Sequence, residues 1–203
     1  LRVGLDVSQT GTRKAGCGYL AETMARALEK RAPHDFLVYP SFGDAFWDVN
    51  GPDATWQATA GNFQRWPMPS SPSEARDFWR SSKGDLDAAL GDPDIVHSFN
   101  FYCPTGLARA RLVYTVYDLG FMVEPGWTTE ANRQVCFTGL FQASLHADFI
   151  IAISEATRVH FLAMFPHYPA ERTAVVRPPS RFEDCRPVAR PPGCAHLTAA
   201  RFF

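Results

Sequence analysis

Four short apolar runs, Ile95-Val96, Leu112 to Val116, Phe149 to Ile153 and Ala174 to Val176, constrain this chain more than any other feature. They are continuous and rich in β-branched residues rather than alternating, the pattern of strands covered on both faces. Helical stretches lie between them. Thr128 or Thr129 caps a helix carrying Phe137, Leu140, Phe141, Ser144 and Leu145 on one stripe, and Ser154-Glu155 opens another with Phe161, Leu162 and Phe165 on its apolar side. Strands that alternate with helices predict a doubly wound, mostly parallel α/β sheet of about six or seven strands.

The first forty residues fit the same scheme. Arg2 to Val7 reads as a strand, Ser8 to Gly18 as a polar loop, Tyr19 to Arg31 as a helix with Leu20, Met24, Ala27 and Leu28 on one face, and Phe36 to Tyr39 as a second strand. Residues 41–70 hold Phe42, Phe46, Trp47, Trp56, Phe63 and Trp66 without a period, so an irregular stretch with one short edge strand is expected. Ser71-Pro-Ser-Glu74 is a capping box that predicts a helix running to about Leu90.

Composition removes several function classes. The 203 residues include 20 basic and 21 acidic side chains, a net charge of -1 that disfavours nucleic acid as a partner. No run of about 18 apolar residues exists to span a membrane, and the strand-like start is unlike a secretion signal. The five cysteines are scattered without a C-x-x-C pair, which fits a reducing cytoplasm. Residues 1–180 are expected to form one Rossmann-like domain. Pro178, Pro179, Pro187, Pro191 and Pro192 then mark a linker, and Leu197 to Phe203 reads as the opening strand of a second domain, so 181–203 is taken as linker plus the start of a missing C-terminal half.

Ligands of parallel sheets sit at the carboxyl ends of the strands. There the sequence places the Ser8–Gly18 loop, His97-Ser-Phe-Asn100, Tyr117-Asp-Leu119, Ser154-Glu155 and Arg177-Pro-Pro179. Gly16-Cys17-Gly18 precedes a helix, where exposed N–H groups can meet a phosphate or sugar hydroxyl, and Arg13 and Lys14 add positive charge. The alternative is that both glycines serve a turn and close helix packing. Gly16-Cys-Gly-Tyr-Leu-Ala21 also fits the dinucleotide pattern G-x-G-x-x-A, but it stands about eight residues beyond its strand, and no acidic residue closes the second strand. Asp118 is either a ligand for an acceptor hydroxyl or a turn cap before Gly120. Cys17 is either a thiol of lowered pKa or a small residue in a tight loop, the latter preferred. His97 is expected in the core, and Ser154-Glu155 as a helix cap. No H-E-x-x-H, Walker loop, G-x-S-x-G or metal-spaced Cys/His cluster occurs, so no metal is expected.

Taken in order and spacing, Gly16-Cys-Gly18-Tyr, Asp94-Ile-Val-His97-Ser, Val113-Tyr-Thr-Val-Tyr-Asp118-Leu, Ile151-Ala-Ile-Ser154-Glu-Ala-Thr and Ala174-Val-Val-Arg-Pro-Pro179 resemble the N-terminal domain of family 4 glycosyltransferases. The resemblance covers about residues 2 to 180. Tyr117-Asp-Leu-Gly-Phe followed by Glu124 to Arg133 is similar to the mannosyl- and hexosyltransferase subgroup of bacterial surface polysaccharide synthesis. It implies one half of a retaining GT-B enzyme. The Gly16–Gly18 loop, Cys17 included, would approach the donor diphosphate, Tyr117 and Asp118 would stand at the reaction centre, and Phe99, Asn100, Asn132 and Arg133 would line the acceptor side. Many members carry histidine where this chain has Tyr117, so that sugar contact does not transfer unchanged.

The resemblance further implies a nucleotide sugar as co-substrate with no resident cofactor, a glycan or lipid-linked acceptor, the protein's own C-terminal domain as partner, and peripheral association of the full-length protein with a membrane. The family's paired glutamates and basic phosphate clamp belong to the C-terminal half, so this chain alone is expected to turn over little or no substrate. Two other readings stand beside it: a stand-alone nucleotide- or NAD-binding module, and a non-catalytic interaction domain using the aromatic stretch Phe42 to Trp66.

Overall fold

The computed structural model describes residues 1–44, 51–80 and 84–179. Seven strands, β1 (Arg2–Asp6), β2 (Asp35–Tyr39), β3 (Phe63–Arg65), β4 (Ile95–Ser98), β5 (Arg111–Val116), β6 (Phe149–Ala152) and β7 (Thr173–Val175), form one sheet in the order β3-β2-β1-β4-β5-β6-β7. Every adjacent pair is parallel. Among the described residues the α-helical segments are α1 (Gly16–Arg31), α2 (Pro72–Arg80), α3 (Leu86–Ala89), α4 (Gly120–Val123), α5 (Glu130–His146) and α6 (Glu155–Met164). The strand order reverses between β1 and β4, and such a switch point opens a crevice at the carboxyl edge.

The core lies in two layers, one on each face of the sheet. Strand β2 divides its side chains between them: Phe36 and Val38 join Leu5, Val7, Ala21 and Ala25 on one face, while Leu37 and Tyr39 join Leu90, Val96, Leu112, Tyr114 and Ile150 on the other. A continuous apolar run is the sequence form of this double burial. Gly4 permits it locally, because a Cβ there would lie 2.4 Å from the Tyr39 ring, whose hydroxyl donates to the Leu90 carbonyl.

Several expectations are refined. Helix α1 begins at Gly16, three residues before Tyr19, and Ala21 and Ala25 rather than Ala27 carry its buried face. The Ser71–Glu74 capping box is reciprocal: Ser71 Oγ accepts from the Glu74 N–H and Glu74 Oε2 from the Ser71 N–H. The helix it opens is described as far as Arg80 and does not run on to Leu90, because Gly84 and Asp85 are not helical and Asp85 caps a separate turn, α3. The expected edge strand is β3. Trp56 and Phe63 are buried together at that edge, while Phe42 is buried in the core on the other face of the sheet, against Tyr39, Trp79 and Tyr102. Phe46 and Trp47 lie outside the described residues, as do 181–203 with the expected linker and domain start.

Helix α5 departs most. Thr129 caps it as expected, but its buried face is Cys136, Gly139, Leu140, Ala143 and Ser144, leaving Phe137, Phe141 and Leu145 exposed. Apolar residues occupy both flanks of this helix, so periodicity alone did not select the inner one. Gly139 did: a Cβ there would lie 1.7 Å from the Phe101 carbonyl oxygen, so this side of α5 presses against the loop after β4.

Candidate functional site

The site grows out of the switch point. Asp6 ends β1 and is 1% exposed; its Oδ1 accepts from the N–H and hydroxyl of Ser8, and its Oδ2 accepts from the Phe99 N–H at 3.1 Å. One carboxyl group thus joins the loops after β1 and β4. Burial outweighs those hydrogen bonds and raises its pKa to about 6. Asn100, also 1% exposed, continues the frame by donating to Ser8 Oγ and the Phe42 carbonyl and accepting from the Tyr102 N–H. His97 lies against the Phe99 ring and bonds Thr115 Oγ1 at 2.9 Å; burial holds it neutral, with its pKa lowered to about 3.

Above this frame opens a cleft of about 570 Å³ lined by Gly16, Cys17, Tyr19, Phe101, Tyr117 and Asp118, with Ile153, Pro178 and Pro179 closing one side. The two glycines differ in role. A Cβ on Gly18 would lie 1.9 Å from the Gln9 carbonyl oxygen, so Gly18 serves close packing, whereas a Cβ on Gly16 would meet nothing within 4 Å. The N-cap residue of α1, Ala15, has no side chain that could cap it, and the first turn has no acidic residue. Its positive end lies at the cleft without a cap from the N-cap residue, whereas α5 and α6 are capped by Thr129 and Ser154. Lys14 adds little, being paired with Glu22 at 2.8 Å.

Tyr117 is turned inward. Its hydroxyl stands 2.6 Å from the Phe99 carbonyl and 3.3 Å from that of Cys17, and its own carbonyl accepts from Thr157 Oγ1. Burial raises its pKa well above the ordinary tyrosine value. Asp118 is exposed; its Oδ1 accepts from the Gly120 N–H, as a turn cap does, and Oδ2 makes no hydrogen bond to another described residue. Both readings of Asp118 are thus compatible in one side chain. The Cys17 thiol bonds Gln9 Oε1, and burial raises its pKa, so the tight-loop reading holds over an activated thiol.

Of the residues singled out in the sequence, the cleft gathers Gly16, Cys17, Tyr117 and Asp118. Phe99 and Asn100 are buried beneath it. Asn132 bonds Thr128 and Arg133 pairs with Glu130, and neither lines the cleft. Sequence reasoning missed Asp6 and Phe101. An acidic residue closing the first strand was the available signal for Asp6; nothing in the periodicity marks Phe101. No group of three His, Cys, Asp or Glu side chains among the described residues is placed to hold a metal ion.

A seven-stranded parallel sheet with its cleft over the strand reversal defines the Rossmann-like α/β class. Within it, the description Glycosyltransferase Family 4 matches residues 15–179, and the chain belongs to that family. Among solved structures, Anabaena HepE, crystallised in complex with UDP-glucose, has a similar fold: the TM-score is 0.50 at 14% identity, over 87% of this chain and 43% of that one. The chain thus spans less than half the length of HepE. No curated protein matches it.

Proposed function

We propose that this domain is the acceptor-side half of a retaining GT-B glycosyltransferase that moves a hexose, mannose being one candidate, from a nucleotide sugar to a glycan or lipid-linked acceptor. The observation that carries the reading is the convergence, in one cleft of a family 4 domain, of an uncapped helix N-terminus at Gly16 and an exposed carboxylate at Asp118. The first suits a diphosphate and the second a sugar hydroxyl. HepE is solved with UDP-glucose, which agrees with a nucleotide sugar as co-substrate.

In this proposal the α1 N–H groups face the leaving diphosphate and stabilise its developing charge, while Asp118 Oδ2 accepts a hydrogen bond from the attacking hydroxyl and orients it. Tyr117 acts from below by holding the Cys17 and Phe99 carbonyls in place. The donor is held mainly by a second, nucleotide-sugar-binding domain, so the chain alone turns over little. Assay of the full-length protein against a panel of nucleotide sugars, with lipid-linked and free saccharide acceptors, tests this. Asp118→Ala should lower transfer, and an unchanged rate would remove Asp118 from the site.

A further inference from the structure

A second cleft, of about 600 Å³, lies on the other side of Phe101, between α5, the end of α2 and the loop after β4. On α5 the residues Gln134, Thr138 and Gln142 line it at successive spacings of four, which places them on one ridge of the helix. The Gln134 side chain donates to Glu130, while the side chains of Thr138 and Gln142 make no hydrogen bond to any described residue. Phe101 and Tyr102 also line it, and the pair Arg80–Asp44, 2.5 Å apart, contributes to the lining. Because Asp44 neutralises Arg80, the cleft offers donors, acceptors and aromatic faces without net charge. Gly139 sets its width by letting α5 touch the Phe101 carbonyl.

This is chemistry for a neutral polyhydroxylated ligand. Amide and hydroxyl groups donate and accept to sugar hydroxyls, and an aromatic ring covers the C–H face of a pyranose. A phosphate would find no uncompensated cation here. We infer that the cleft beside the Gln134–Thr138–Gln142 ridge is the saccharide-acceptor subsite, with Phe101 as the partition between it and the Gly16–Asp118 cleft. The assignment rests on the glycosyltransferase reading. It moves the acceptor face along α5 from Asn132 and Arg133 to Gln134, Thr138 and Gln142, and a sugar seated there reaches Asp118 only by passing Phe101.

The experiment is a titration of the isotope-labelled 203-residue chain with methyl glucoside, methyl mannoside, methyl galactoside, maltose and, separately, inorganic phosphate, followed through backbone amide shifts. The expected result is a saturable response to at least one glycoside at Phe101, Tyr102, Thr138 and Gln142, and none there to phosphate. Thr138→Trp, which fills the cleft from an exposed helix position, and Gln142→Ala should each weaken it by about tenfold or more while melting stays unchanged. Saturable shifts confined to Gly16, Cys17 and Asp118 would overturn the subsite and leave the transferase reading intact. A phosphate response at the α5 ridge would also overturn it, as would the absence of a saturable response to any glycoside; the transferase reading stands or falls separately, on donor turnover by the full-length protein.

Discussion

The hydroxyl of Tyr117 lies 2.6 Å from the carbonyl oxygen of Phe99, so the residue at the end of β5 is tied to the end of β4 beneath the cleft. The same hydroxyl stands 3.3 Å from the Cys17 carbonyl, which brings the start of α1 into the same node. A hydroxyl shared in this way between two loop carbonyls positions the cleft floor.

Tyr117→Phe keeps the ring and removes the tie, leaving both carbonyls without their hydroxyl partner. The expected loss is about 1–2 kcal/mol, a fall in Tm of about 3–6 °C. Thermal melting followed by circular dichroism measures it. A variant as stable as the parent would show that the hydroxyl has no structural role.

Gly16→Ala and Gly18→Ala should separate packing from binding. The Gly18 variant puts a Cβ into the Gln9 carbonyl and should lose about 2 kcal/mol or more in urea denaturation. The Gly16 variant meets open space and should stay within about 0.5 kcal/mol of the parent, while weakening nucleoside diphosphate binding in calorimetry of the full-length protein. Equal stability loss in both would refute the division of roles.

Two buried groups should give opposite pH dependences. His97, lowered to about 3 from its ordinary 6.5, contributes stability that is complete above pH 6.5 and lost as pH falls toward 3. Asp6, raised to about 6 from 3.8, contributes stability that is complete below pH 3.8 and lost as pH rises through 6. Between pH 4 and 6 the two slopes largely cancel. His97→Gln should therefore gain about 2–4 kcal/mol relative to the parent on going from pH 7 to pH 4.5, read from urea midpoints at each pH. A stability difference that does not change with pH would contradict the neutral, buried histidine.

Much of this fold is legible before any coordinates, for a physical reason. Runs such as Leu112 to Val116 have no polar face, and only a strand covered on both sides tolerates that. Gly16, Cys17, Tyr117 and Asp118 were legible as residues following strands, since topology brings those ends together. What escaped the sequence depends on contacts across the chain. Whether Asn100 faces a ligand or Ser8, Phe42 and Tyr102 is decided by residues up to 92 positions away, and the inner flank of α5 is chosen by Gly139 meeting Phe101. The separate start of α3 follows from Asp85, whose side chain caps a new helix, and an apolar count does not register that cap.

The cleft between Gly16 and Asp118 is proposed to serve glycosyl transfer. Nucleoside diphosphate release by the full-length protein, measured over a panel of nucleotide sugars with saccharide acceptors, tests it most directly. Turnover of at least one donor is expected, with kcat/KM lowered about tenfold or more by Asp118→Asn, which keeps an Oδ1 acceptor for the Gly120 N–H and so leaves Tm unchanged. Full activity in that variant, or no turnover of any nucleotide sugar, would contradict it.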